Sequence, residues 1–481
     1  MERFIYLKGK NGRIRAEGDS QVGLGGERGV FAEWDWDGQR LLACNDRYGF
    51  YPLYYAEGED SLAVSPSIQK LLNLGFSAEL DEDALAVFLR LGWFIGEDTA
   101  FRAIRALPPG ASLVWRDGRM ELSSGGIIIG ETKKFSRTEA IERYAALFDR
   151  AVEKCLSDDE RKTAVPLSGG RDSRHILLAL NKLGRKPDAC LTVLHPPPRP
   201  DEDVRVASEV CLTVGVEHIP VNQTGTRFRN EIRKNELTGL TVFEHGWYLS
   251  LADFIREGWD EIYDGIAGDV LSAGLFLDEE RLELYRAGKL ETLADRIMEK
   301  EAYLPALLKA GVYQRLSRDR AIERLTIELE RHSSAPNPVG SFFFWNRTRR
   351  CIAVSPFRLI GETVRINAPY LDDELFDFLI SLPAETFLDH RFHTETIAAA
   401  YPEFAGLGYE KKEAGEVKDA GHFKKYGRDI LRFALTRRKK TLTNRRFLLS
   451  RCLRGTFDPA YSRNVIDFGE LAIMLMQLER F

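Results

Sequence analysis

Cysteine is scarce and scattered: Cys44, Cys155, Cys190, Cys211, Cys351 and Cys452 are the six thiols in 481 residues, and no C-x-x-C pair occurs. That spacing excludes a zinc ribbon and offers no disulfide framework. Long apolar runs are missing too. After Met1-Glu2-Arg3 only four apolar residues follow, Phe4 to Leu7, whereas a secretory signal needs roughly 7–15. No later stretch approaches the ~18 apolar residues of a membrane span. These absences predict a home in the reducing cytoplasm. Nor does one sign of charge dominate: 68 Lys and Arg against 73 Asp and Glu leave −5 at neutral pH. The chain as a whole therefore lacks a nucleic-acid footprint. Histidine gives no metal-ligand spacing among its eight residues, since His390 and His393 form an i, i+3 pair without a third ligand. There is no Walker loop and no internal repeat.

What is present is the composition of a globular protein, 44% hydrophobic and 29% charged, in a chain too long for one core. The texture changes once. Residues 1–125 read as β-rich, with short alternating runs such as Gly29 to Trp34 separated by turns like Asp37-Gly38. Helical patterns interrupt them near 66–74 and 81–91, the second capped by Asp81. Ser123 to Thr132 reads as a linker, and a second domain is expected over 136–481. There a helix (Thr138 to about Leu156) leads to strands at 163–167, 189–194, 217–221 and 261–263. Helices alternate with these strands, including one long helix ending near Glu257. The alternation predicts a doubly wound parallel α/β sheet, followed past residue 280 by a mostly helical extension.

The chemistry-bearing stretch is Leu167-Ser168-Gly169-Gly170-Arg171-Asp172-Ser173, between a buried strand and a helix. Gly169 and Gly170 let the backbone approach an anion. The hydroxyls of Ser168 and Ser173, the loop N–H groups and the helix N-terminus all donate toward negative charge. Asp172 would repel a bare phosphate, so it implies a bridging Mg²⁺. A second glycine-rich turn, Tyr263-Asp264-Gly265-Ile266-Ala267-Gly268-Asp269, closes the fourth strand. Asp172 and Asp269 on separate loops can bracket one cation, as a departing pyrophosphate requires.

The S-G-G-x-D-S loop resembles the pyrophosphate loop of the ATP pyrophosphatases. The order of segments that follows is similar to the asparagine synthetase family: Gly215-Val216-Glu217-His218, the Gly265–Leu271 turn, and Asn367 to Asp372 with Ser381-Leu382-Pro383. His218 reads as structural. The resemblance implies an adenine-nucleotide α-hydrolase-like domain that uses ATP and Mg²⁺. In it Ser168, Gly169, Gly170, Asp172 and Ser173 would hold pyrophosphate. The backbones of Val193, Gly265 and Gly268 would lie against AMP, and Asp172 and Asp269 would carry the metal. Lys412 or Lys411, before Glu413, falls where the family places its catalytic lysine. In the front half Asn45 to Tyr55 and Ala106 to Gly110 resemble the family's N-terminal-nucleophile (Ntn) glutaminase, here a truncated β-rich sandwich. That chemistry needs a cysteine directly after the initiator Met; position 2 is Glu2.

Two departures shape the expectation. Ile266 stands where the family's asparagine synthetases carry a glutamate, and Arg171 and Arg174 flank the loop. The reading is an AMP- and pyrophosphate-forming amide ligase without its own glutaminase. Its substrates would be a small-molecule or peptide carboxylate and ammonia or an amine, and a homodimer is possible. β-lactam synthetases and lasso-peptide cyclases, which join an amine intramolecularly or between groups, are one alternative. A non-catalytic ATP-binding regulator is another. From Lys424 to Arg454 there are twelve Lys or Arg and one acid, Asp429. That is either a solvated helical face or a docking surface for an anionic substrate.

Overall fold

The computed structural model describes residues 3–10, 13–25, 29–157, 159–298, 301–410, 416–436 and 441–481. The front half builds two five-stranded antiparallel sheets. One comprises β1 (Ile5–Lys10), β2 (Arg13–Gly18), β6 (Tyr54–Gly58), β7 (Ser61–Ser65) and β8 (Ile104–Ala106), in the order β2-β1-β7-β6-β8. The other comprises β3 (Gln21–Gly25), β4 (Phe31–Trp36), β5 (Arg40–Asn45), β9 (Ala111–Arg116) and β10 (Arg119–Ser124), in the order β10-β9-β5-β4-β3. Period-two alternation sets the faces: Val22 and Leu24 on β3, and Leu41 and Ala43 on β5, point into the core. The helices α1 (Ile68–Asn73) and α2 (Glu82–Leu91) fall where the sequence predicts them, and Asp81 caps α2 by accepting from the Ala84 N–H at 3.1 Å.

The Asn45-Asp46 motif is a fastening. Asp46 accepts from the N–H groups of Phe31 (3.1 Å), Tyr48 (2.8 Å) and Gly49 (3.0 Å). The Asn45 amide donates to the Pro108 carbonyl and accepts from the Ala111 N–H, both at 2.8 Å, tying in the later Pro-Pro-Gly turn.

Past the irregular stretch after Ser124, α3 (Arg137–Cys155) opens the second half with a capping box from Ser136 and Glu139. The parallel sheet follows in the order β13-β12-β11-β14-β15, from β11 (Thr163–Pro166), β12 (Ala189–Val193), β13 (Glu217–Val221), β14 (Glu261–Tyr263) and β15 (Arg365–Asn367). Every neighbouring pair in it is parallel. The helices α4 (Asp172–Lys182), α5 (Glu202–Val214), α6 (Arg227–Leu237) and α7 (Leu249–Gly258) connect the strands. The chain runs outward from β11 to β13, then returns to the other side of β11 as β14. The crevice between the carboxyl ends of β11 and β14 is therefore the topological switch point, the place where such sheets bind ligands.

Two expectations are corrected. The single long helix ending near Glu257 is two helices, α6 and α7, broken where Leu240 (φ 64°) and His245 (φ 81°) take left-handed conformations. The region past residue 280 also contributes a fifth strand, β15, too short to leave a periodic signal.

One continuous cluster of buried side chains runs from Ile5 to Leu478, through both halves. A second, on the other face of the parallel sheet, gathers Leu191, Val193, Leu249, Ile255 and Ile262. Two arginines of the π-helical turn Phe344–Ile352 cross between the halves. Arg349 donates to the carbonyls of Leu107 (2.8 Å) and Gly49 (3.3 Å). Arg350 donates to that of Asp98 (2.8 Å) and to that of Gly96. On the surface Arg47 pairs with Asp373 (3.0 Å) and Asp377 (2.7 Å).

Candidate active site

The two predicted loops meet at the switch point. Leu167 is held at the end of β11 by its N–H to the Leu191 carbonyl (2.8 Å) and by the Thr192 hydroxyl on its own carbonyl (2.7 Å). Val193, buried at the end of β12 opposite Val221, is one strand away. The glycine loop folds partly on itself. Ser168 N–H donates to the Ser173 hydroxyl oxygen (3.1 Å), Gly170 N–H to that of Ser168 (3.2 Å), and Gly169 N–H to Asp203 (2.8 Å). Three loop N–H groups predicted to face an anion are thus engaged internally. The two hydroxyl hydrogens and the N-terminus of α4, which no side chain caps, remain to donate outward. The helix starts at Asp172, so Asp172 and Ser173 belong to its first turn.

The second loop presses against that turn. A Cβ at Gly265 would come within 2.9 Å of Asp172 Cβ and 3.0 Å of Ser173 N. One at Gly268 would lie 2.7 Å from Asp172 Cγ and 2.8 Å from Tyr370 Cε2. These glycines are required by loop-to-loop contact before any ligand enters. Asp269, in the first turn of α8 (Gly268–Ser272), brings its backbone N–H toward the Asp172 carboxylate, which favours the charged form. Burial, and next the adjacent Asp269 carboxylate, hold Asp172 well above the usual carboxylate range. Burial raises Asp269 also, with Arg347 opposing it. Burial pushes Asp264, whose carboxylate accepts from the Ile266 N–H at 2.8 Å, up to about 6. Asp172 still keeps 24% of its side chain accessible. Two apposed carboxylates that resist ionising are what a divalent cation relieves, so the donor set fits Mg²⁺. The uncapped helix end and the two hydroxyl hydrogens can donate to an anion.

Several contributors escaped the sequence reading. His393, read there as half of an unsupported pair, lies with Nδ1 3.4 Å from Asp172 Oδ1. Its Nε2 is 3.1 Å from the Tyr370 hydroxyl and 3.2 Å from His175 Nδ1. Burial pushes His393 down to about 3, leaving it neutral behind the carboxylate. Asp203 is the other. Burial works against its charge, yet His195, the Gly169 N–H and Arg199 hold it down at about 2. No local spacing signals either residue. Arg171 and Arg174 are not free charges: Arg171 donates to Thr394 (2.6 Å), and the buried Arg174 to the Leu407 and Gly408 carbonyls (3.2 and 2.6 Å) while stacking on Tyr409. His218 is structural as expected, its Nε2 2.9 Å from the Thr192 hydroxyl. Lys411 and Lys412 lie outside the described residues. The residues flanking them are anchored at the site: Glu410 N–H donates to the Gly169 carbonyl (3.0 Å) and Val417 N–H to that of Pro198 (2.8 Å).

Beside this crevice, at the ends of β12 and β13, lies a cavity of about 700 Å³ walled by His195, Arg199, Arg227, Trp247, Tyr426 and Glu470. Among the described residues the one cluster of three metal-type donors is Glu244, His245 and Cys351. There Glu244 is committed to Arg347 (3.2 Å) and His245 to the Cys351 carbonyl (3.1 Å). In the front half Cys44 sits inside β5 against Glu33 (3.3 Å), and burial pushes its thiol up to about 11. No helix among the described residues is long and apolar enough to cross a membrane.

Residues 24–124 match the family model of the glutamine amidotransferase domain. Amidase chry2 of Gibberella zeae is 30% identical over 169 residues, which is 33% of this chain and 25% of that protein. Amidase chyE of Penicillium rubens is 32% identical over 152 residues, 31% of this chain and 22% of that one. The chain thus spans about a quarter of the length of these curated relatives. Two solved structures align at a TM-score of 0.15 each. One is a glutamine phosphoribosylpyrophosphate amidotransferase from B. subtilis complexed with ADP and GMP (14% identity, 49% of this chain and 48% of that one). The other is an allosteric regulatory enzyme of purine biosynthesis (13%, 50% and 47%). The front sheets form a glutamine amidotransferase-like domain, joined to a parallel α/β half whose paired carboxylates stand at the switch point.

Proposed function

We propose that this chain is an ATP-dependent amide ligase of the asparagine synthetase type. It would join a carboxylate to ATP as an acyl-adenylate with release of pyrophosphate, then let ammonia or an amine displace AMP. The observation that carries this reading is the apposition of Asp172 and Asp269 at the glycine loop, at the ends of adjacent parallel strands. Ser168, Gly169, Gly170 and Ser173 would seat the pyrophosphate, and Val193, Gly265 and Gly268 would lie against AMP. Asp172 and Asp269 would hold Mg²⁺, which when bound neutralises charge on the leaving pyrophosphate. The Tyr370 hydroxyl donates to the Asp172 backbone carbonyl at 3.4 Å, and His393 lies 3.4 Å behind the carboxylate. Lys412 or Lys411, between anchored flanks, would stabilise charge on the reacting acyl centre. Cys44, inside β5, has no free amine of an Ntn nucleophile, so residues 24–124 would act as architecture. The amidase names of the two fungal relatives support a reading in which the chemistry is at an amide bond.

Pyrophosphate release with ATP, Mg²⁺, a panel of carboxylates, and ammonia or amines tests the proposal. Asp172→Ala and Asp269→Ala are each expected to abolish it, and an active protein whose turnover survived both would end this reading. Product mass then separates amidation by ammonia from ring closure. Ile266, which cannot take a proton, favours a second reading as a non-catalytic ATP-binding protein. ATP–Mg²⁺ binding without turnover of any carboxylate would establish that one.

A further inference from the structure

The helices Ala420–Thr436 and Arg445–Phe457 pack closely, a Cβ at Gly427 lying within 3.6 Å of the Cys452 carbonyl and 3.7 Å of Gly455. The second helix buries Leu448, Cys452 and Gly455 inward, as a surface helix should. It carries another apolar stripe on the outside. Leu453 and Phe457, four residues apart, are 44% and 76% exposed, while Leu449 one turn earlier is half-buried against the core. On the first helix Lys425, Arg428, Arg432 and Leu435 recur at helical spacing on the exposed side, and Leu435 is 52% exposed. Large apolar side chains left outward in this way call for a covering partner.

The charge around them says which. Residues 424–454 carry a net +11 in a chain of −5, leaving the remainder at −16. Arg432 lies 3.9 Å from Asp429 and Arg454 3.3 Å from Asp458, but Lys425, Arg428, Arg445 and Arg446 take part in no ion pair among the described residues. A solvated surface needs the charges and not the outward leucines and phenylalanine. An acidic polypeptide or a nucleic acid would use the charges, and bases can stack on Phe457, but neither calls for the outward Leu435 and Leu453. An acidic bilayer uses both, since headgroups pair with Arg and Lys while apolar side chains enter the acyl boundary. We propose that this helix pair is a docking face for a membrane surface rich in anionic phospholipid, independent of the reaction at the glycine loop.

Co-sedimentation of the full chain with vesicles of phosphatidylcholine, with and without phosphatidylserine, tests this. Binding is expected only with phosphatidylserine, weakening as salt rises. The double variants Arg428→Glu/Arg432→Glu and Leu453→Ser/Phe457→Ser should each lower it more than roughly tenfold, with far-UV circular dichroism and the unfolding midpoint unchanged. These outward side chains are not part of the core, so the variants should fold. Absence of vesicle binding, binding undiminished by Leu453→Ser/Phe457→Ser, or equal binding to polyglutamate or RNA would each overturn the proposal.

Discussion

Asp172 shows what one residue can be asked to do. Among the described residues it closes no ion pair with a Lys or Arg; half-buried, it stands beside a second carboxylate and is backed by a neutral imidazole. The close approach of Gly268 fixes its position, so Gly268→Ala, whose Cβ would fall 2.7 Å from Asp172 Cγ, should displace the carboxylate. We expect a loss of about 1–3 kcal/mol in stability and a larger proportional loss of pyrophosphate release, read from denaturant unfolding and turnover in parallel. Glu231 offers a different test. Burial, opposed by Lys234 at 3.1 Å, carries its carboxyl from 4.5 up to about 7. Between those values the folded form keeps a proton that the unfolded chain has released, so stability falls as pH rises across the window. Glu231→Gln should flatten that slope in unfolding curves taken from pH 4.5 to 7. The glycine loop was legible in the sequence because its signal is local: two glycines, an acid and two hydroxyls within six positions. His393 and Asp203 were not, because the chain brings them in from far away, Asp203 to Gly169 across 34 residues and His393 to His175 across 218.

At the scale of elements, caps and apolar periodicity found α1 to α5, and a run of buried residues found β11 and β12. The break between α6 and α7 went unseen, since nothing in the spacing around Gly239-Leu240 announces two consecutive left-handed residues. β15 went unseen because a three-residue strand is specified by its neighbour: Ile366 pairs with Ile262 across the sheet edge. The π-helical turn is the element with the widest reach. Arg349, 3% exposed, serves front-half carbonyls that would otherwise be buried without donors. Arg349→Met should therefore cost about 2–4 kcal/mol, measured as a drop in the urea midpoint, although the residue lies outside both the glycine loop and the cavity.

For the molecule as a whole, the larger of two clusters of buried side chains runs from Ile5 to Leu478, through both halves. Differential scanning calorimetry should accordingly show a single transition in which both halves melt together; two resolved peaks would contradict the shared core. The bridging arginines carry a consequence for how such a chain can change. A gene cut at the stretch after Ser124 would leave the back half with two guanidinium groups and nothing to receive them, and the front half with a ring of bare oxygens. The shape of the front half is thereby held hostage by its neighbour, whatever becomes of its own chemistry. Substitutions can erase a reaction there at no cost to the remainder, while erasing its outline would bring the whole molecule down.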